Sequence, residues 1–480
     1  MSEARLPDKK TKIVCTIGPA SESEEVLVRM IERGMNVARI NFAHGDLDGH
    51  RRVIAAVRAA SRATGSRVAI FGDLPGPKMR IGELGEEPVE IVRGDEFVLQ
   101  TDEIVGDAHR VSMSFERLPE VVSPGDSIFV NDGFIELRVV STAPREVRCE
   151  VVVGGELRSH KGVNFPGSDL GISAFTDADR EFLAFAAEEK LDGVSMSFVE
   201  GAADVTAVKA AAASMNYDPF VIAKIERARA CDNLEEILEV ADGIMVARGD
   251  LGVEIPVEEI AAAQKRIVTR ANRSAVPVIT ATHMLESMIT NSRPTRAEVT
   301  DVANAILDGT DCVMLSGESA IGRFPVETVG VMAGIARVTE PERGRHTISD
   351  LLELDRRRGE IEEHDLISLN IFMTTEILHP TIIFVPSRTG STARRIARFR
   401  PPVWIVSFSD DESACQKLQF SYGIYPDLYD PPVENWQAFV RDWMGRAGAA
   451  GERVLLAEGS GTLGTEDYTR IDIIGLDEID

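Results

Sequence analysis

A short apolar run followed by an amphipathic stretch recurs along most of this chain, and that alternation limits the fold more than any other feature. Runs beginning at Lys12, Asn36, Val68, Gly193, Phe220, Gly243, Val276 and Cys312 read as strands, each followed by a helix. Helices are predicted at Asp48–Arg62, Asp177–Lys190, Ala202–Ser214, Asn233–Val240, Thr295–Leu307 and Val326–Thr339, and an earlier one, opened by a capping box of Ser21 and Glu24, ends at Gly34. Strand, helix, strand in units this short implies parallel neighbours, because a tight hairpin cannot join parallel strands. Eight such units predict an α/β fold, a closed (β/α)8 barrel of the TIM type rather than an open sheet, with chemistry at the carboxyl ends of the strands.

The rhythm breaks at Pro75, Gly76, Pro77. From about Lys78 to Ile172 the segments are short and alternating, with turn signals such as Pro124, Gly125, Asp126 before Ser127–Val130 and Asn131, Asp132, Gly133 after it. This reads as an inserted all-β module on two short connections rich in proline and glycine, either a hinged lid or an insertion without a role in the chemistry. Beyond Pro341 a charged linker, Asp355–Glu363, leads to a smaller α/β region with strands at Thr381–Val385, Val403–Phe408, Arg453–Ala457 and Arg470–Gly475. The predicted organisation is a barrel over 1–77 and 173–341, the insertion over 78–172 and a C-terminal domain over 342–480. In the last, Ser387, Arg388, Thr389, Gly390, Ser391 and Thr392 lie between a strand and the helix Ala393–Phe399, as a phosphate cradle or an ordinary helix cap.

The formal net charge of -26 argues against general affinity for nucleic acid or an anionic membrane, so a phosphorylated substrate needs a locally basic pocket. Five scattered cysteines with no paired spacing fit a reducing cytoplasm, and no apolar stretch approaches a membrane span.

The strand ends carry Arg39, Asn41, Asp73, Ser197, Lys224, Glu226, Gly249, Asp250, Thr282 and Glu318. Glu226 and Asp250 close consecutive strands and suit a hard divalent cation, and Lys224 beside them suits an anion bridged by that metal. A surface ion pair is the alternative reading.

The stretches TKIVCTIGPAS at Thr11, NVARINFAHG at Asn36, AKIERA at Ala223, MVARGDLGVEI at Met245, ATHMLESM at Ala281, RPTRAEVTDVANAILDG at Arg293 and LSGES at Leu315 give the chain a resemblance to the pyruvate kinase family along nearly its whole length. The resemblance implies a barrel with a small β-barrel lid inserted after the third strand and a C-terminal α/β regulatory domain. It implies transfer of the phosphoryl group of phosphoenolpyruvate to ADP, in a cytoplasmic homotetramer. Carried over by position, Glu226 and Asp250 would hold Mg2+, with Mn2+ as the alternative metal. Lys224 would stabilise the transferring phosphoryl group and the enolate. Arg39, Arg80 and Lys161 would bind phosphate oxygens, Asn41 and His44 would form the nucleotide-side loop, Thr282 would face the carbon that is protonated, and Ser197 with the Gly249 amide would hold the substrate carboxylate.

Two departures from the family pattern stand out. Ala43 replaces a serine usual at the potassium site, and Lys78 replaces a nearby acid, so an internal ammonium is expected to make potassium unnecessary. Glu200 and Gly201 stand where basic residues are usual. The Ser387–Thr392 turn resembles the family's effector turn; without a matching arginine near Trp436, a monophosphorylated sugar or nucleotide is the expected effector rather than a bisphosphate. The competing readings are an aldolase or phosphoenolpyruvate mutase sharing Glu226 and Asp250, and a non-catalytic metabolite sensor.

Overall fold

The computed structural model describes residues 6–77, 79–131, 133–168, 171–343, 363–430, 433–458 and 470–476. Lys78 lies outside them, as does all of the charged linker except Glu363. Strands Lys12–Thr16, Val37–Asn41, Ala69–Leu74, Gly193–Met196, Phe220–Ile225, Gly243–Ala247, Val278–Ala281 and Cys312–Leu315 form a closed parallel barrel in sequence order. The last pairs with the first from Lys12 opposite Cys312 to Cys15 opposite Leu315. Six of these strands are buried at every position and Phe220–Ile225 at every position but Lys224, which is why they read as continuous apolar runs rather than alternating ones. Register places Asp73 level with Asn41 on one side and Ser195 on the other.

The helices form the outer layer. The first spans Glu24–Glu32 and is capped by Ser23, whose side chain accepts from the Val26 amide, not by Ser21. Ser21 is taken by the preceding turn, where its hydroxyl accepts from the Gly18 amide at 3.2 Å. The seventh strand, expected from Val276, begins at Val278, and Thr282 has already left it with φ 64°. A short helix, Arg248–Glu254, follows the sixth strand directly; its two glycines concealed it in the sequence.

The inserted module, between Leu74 and Asp177, holds a six-stranded sheet and a separate two-stranded pair around its own apolar core. The C-terminal sheet runs Ile424–Leu428, Trp404–Ser409, Ile382–Pro386, Arg453–Glu458, Arg470–Gly475, parallel except for the last strand. The Phe420 ring of this region is fully buried at the amino-terminal mouth of the barrel, stacked on Phe220 with centroids 4.7 Å apart and edge-on to Phe71 at 6.0 Å. Lys12 reaches the same region and donates to the Ile424 carbonyl at 2.7 Å. Among the described residues no helix is long and apolar enough to cross a membrane.

Candidate active site

The carboxyl ends of four neighbouring strands converge on one buried ionic cluster. Asp73 is the penultimate residue of the third strand and is 3% exposed. One of its oxygens, Oδ2, accepts from Arg39 Nε at 3.0 Å and Nη2 at 2.5 Å; the other accepts from Ser195 Oγ at 2.5 Å and lies 3.8 Å from Lys224 Nζ. Arg39 is fixed further by donating to Thr16 Oγ1 at 2.8 Å. Lys224 donates to Ser197 Oγ at 2.8 Å and stands 3.1 Å from Glu226 Oε2. Glu226 is 2% exposed, and its other oxygen accepts from the Phe198 amide at 2.7 Å.

The electrostatics follow from this packing. Burial alone would raise the Asp73 carboxyl, but Lys224 and Arg39, with hydrogen bonds from Ser195 and Arg39, hold it at about 2. Burial alone would lower the Lys224 ammonium, yet Asp73, Glu226 and Asp250 keep it well above the ordinary lysine value. Glu226 goes the other way: burial, helped by Asp250 and opposed by Lys224, raises it to about 7.

The buried Glu226 Oε2 takes no hydrogen bond of good geometry, and the contact it does make is the ion pair with Lys224 at 3.1 Å. A buried acid oxygen left in that state beside a second carboxylate, Asp250, fits a hard cation that takes few protein ligands. Among the described residues no group of three or more His, Cys, Asp or Glu converges as a complete cage.

A second polar pair lies next to the cluster. The Gly249 amide donates to Thr282 Oγ1 at 2.7 Å, and Thr282 Oγ1 donates to the Ala281 carbonyl at 2.7 Å. Arg248 holds this turn through the Thr282 carbonyl at 2.7 Å and Asp301 at 2.7 Å. Phe198, Thr282 and His283 all have positive φ, at 59°, 64° and 54°, so non-glycine backbone strain collects around this rim.

Asn41, the sheet partner of Asp73, and the predicted residues of the inserted module bond elsewhere. The Asn41 side chain accepts from the Ala43 amide at 3.2 Å and shapes the turn on which His44 is exposed. Arg80 and Lys161 belong to the inserted module; Arg80 donates to the His160 carbonyl at 2.6 Å, and the Lys161 carbonyl accepts from the Ile81 amide at 3.0 Å. Glu318 is fully buried and is used up in accepting from the Leu285 and Ser316 amides at 3.0 and 2.7 Å. In the Ser387–Thr392 turn, Ser387 Oγ accepts from the Gly390 amide at 3.0 Å, and helix Ser391–Ala397 begins after Gly390 without a side-chain cap. Arg388 offers its carbonyl to Ser409 Oγ at 3.1 Å, and the Thr389 and Ser391 hydroxyls pair at 3.3 Å.

Sequence reasoning missed Ser195 and Thr16. A signal for Ser195 existed: Ser195 and Ser197 are alternate polar residues in an otherwise apolar strand, so both face one side.

Comparison with known families agrees with this geometry. Residues 8–329 match the pyruvate kinase barrel domain and residues 365–471 the pyruvate kinase alpha/beta domain. The pyruvate kinase of Thermococcus litoralis is 48% identical over 428 residues, covering 88% of this chain and 90% of that protein. Pyruvate kinase 2 of Synechocystis is 39% identical, covering 99% of this chain and 80% of its own length, and the Geobacillus stearothermophilus enzyme is 42% identical over 87% and 71%. The chain belongs to the pyruvate kinase family of phosphotransferases.

Proposed function

We propose that the rim cluster transfers the phosphoryl group of phosphoenolpyruvate to ADP, and the observation that carries this assignment is the buried Lys224 held between Asp73, Glu226 and Ser197. Glu226 and Asp250 would hold Mg2+, or Mn2+ in its place, which when bound neutralises charge on the transferring group and polarises the substrate oxygens. Lys224 supplies a permanent cation where the enolate oxygen develops charge, at a place already desolvated and so without reorganisation. Arg39, oriented by Asp73 and Thr16, presents its guanidinium to phosphate oxygens. Ser197 and the Gly249 amide bind the substrate carboxylate, and Thr282 stands on the face where the enolate carbon takes its proton. Asn41, His44, Arg80 and Lys161 serve the nucleotide side. A lactate-dehydrogenase-coupled assay is the direct test: ATP formation from phosphoenolpyruvate and ADP is expected, whereas phosphoenolpyruvate turnover without ATP would favour a mutase or aldolase chemistry.

Ala43 and Lys78 support activity without potassium. An assay in sodium or tetramethylammonium salts should give the same rate as in potassium; a large activation by potassium would contradict the role given to Lys78. The Ser387–Thr392 turn supports regulation by a phosphorylated metabolite with one phosphate. Thermal shift with AMP and sugar monophosphates should show stabilisation that Thr389→Ala or Ser391→Ala abolishes. A homotetramer is the expected assembly, to be checked by light scattering.

A further inference from the structure

Directly after the strand that carries Lys224, the chain passes through Glu226 into Arg227, whose side chain is only 7% exposed. Three separate parts of the chain meet its guanidinium. Nη2 donates to the Ser168 carbonyl at 3.2 Å, in the connection returning from the inserted module. The same nitrogen lies 3.4 Å from Glu200 Oε1, just past the strand Gly193–Met196. Nε lies 3.6 Å from Glu254 Oε2, an acid whose side chain is 4% exposed and which ends the helix Arg248–Glu254.

That helix also carries Asp250, four positions before Glu254 and therefore on the same face. Arg227 thus joins the backbone directly after Glu226 to the helix that bears Asp250. From the other side the Glu226 carboxylate is held by the Phe198 amide at 2.7 Å, on the same strand-end loop as Glu200. Glu200 accepts a second guanidinium, Arg229, at 3.0 Å. The acid at position 200 is the anchor of a brace across the rim.

We propose that Arg227, held by Glu200 and Glu254, is a positioning residue that sets the spacing of Glu226 and Asp250 for a divalent cation. The proposal rests on the reading of those two acids as metal ligands. It makes an unusual prediction about sign. Arg227 is a cation near a cation site, so on charge alone its removal would tighten metal binding. If it acts as a brace, its removal lets the two carboxylates drift and weakens binding.

The test is Mn2+ binding to the full-length chain without substrates, followed by electron paramagnetic resonance of the free ion. Arg227→Met is expected to bind Mn2+ about tenfold more weakly. Arg227→Lys, which keeps the charge and shortens the reach, is expected to recover part of that loss. The turnover number should fall while the KM for phosphoenolpyruvate stays near its wild-type value. A folded Arg227→Met that binds Mn2+ as tightly as wild type, or more tightly, overturns the proposal. If Arg227→Met does not fold, Glu200→Gln decides by the same criterion, since the Glu200 side chain is 28% exposed and tolerates replacement more readily. Glu226→Gln separates the two levels of the argument. Lost binding there with unchanged binding in Arg227→Met sinks the brace alone, and unchanged binding in Glu226→Gln sinks the ligand assignment and the brace with it.

Discussion

Arg39 approaches Asp73 with two nitrogens on one oxygen, Oδ2, at 3.0 and 2.5 Å, and leaves the other oxygen to Ser195 and Lys224. One carboxylate therefore orders both cations of the rim. Asp73→Asn is expected to cost about 3 kcal/mol of stability, because it leaves two buried cations with a neutral acceptor. The pH dependence has a definite sign. The folded carboxyl sits at about 2 and the unfolded one near 4, so the wild-type advantage is complete above the unfolded value and is lost as pH falls toward the folded one. Urea unfolding should show a constant gap between wild type and variant from pH 7 to 5 that narrows only below about pH 4. A gap closing between pH 7 and 5 would point to a different group.

Lys224→Met should remove at least about 3 kcal/mol of transition-state stabilisation, by analogy with deleting one preorganised electrostatic donor. The coupled assay reads this directly as a loss of more than about a hundredfold in turnover. Near-normal turnover in a folded variant would exclude Lys224 from the chemistry.

Thr282 combines a β-branched side chain with φ 64°, and its hydroxyl bridges the Gly249 amide and the Ala281 carbonyl. Thr282→Ala should lower turnover by about a hundredfold if the hydroxyl serves the proton-transfer side of the site. Thr282→Ser keeps the hydroxyl and should stay close to wild type. Equal losses in both variants would mean that the methyl packing, not the hydroxyl, matters.

Much of this architecture was legible because parallel strands buried on both faces leave long apolar runs, and because Lys224, Glu226 and Asp250 sit where those runs end. Other parts were hidden for physical reasons. Ile424–Leu428 contains Pro426 and Asp427, residue types depleted in strands; it is an edge strand, where a missing amide costs nothing to the ladder. Ser21 has the capping-box spacing to Glu24 and Ser23 faces Val26 instead, but the Gly18 turn claims Ser21 and leaves Ser23 as the cap. The Asp73–Ser195 bond and the Arg227 brace join strand ends brought level by barrel closure, a register that no local pattern encodes. Glu318 looked like a rim acid but is spent on backbone amides.

Asp192 provides a stability test away from the rim. Burial pushes its carboxyl up to about 6, although it accepts from the Ile70 amide at 2.7 Å. The folded state therefore keeps a proton that the unfolded chain gives up near pH 4, and its stability falls as pH rises from about 4 to 6. Asp192→Asn keeps an acceptor for Ile70 without the charge. It should stabilise the protein by about 1–2 kcal/mol at pH 8 and much less at pH 5, as measured by denaturant unfolding. A destabilised variant at pH 8 would show that the ionised form is the one the fold requires.

The stacking of Phe420 on Phe220 has a consequence for biosynthesis. Phe420, whose carbonyl accepts from Cys312 Sγ at 3.2 Å, follows that cysteine by 108 positions. When the eighth barrel strand has left the ribosome, the barrel's amino-terminal opening still shows Phe71 and Phe220 to solvent, and the ring that seals it has yet to be translated. A nascent chain paused between these points would be an adhesive intermediate, and a truncation ending before Phe420 should be recovered in inclusion bodies or bound to chaperones.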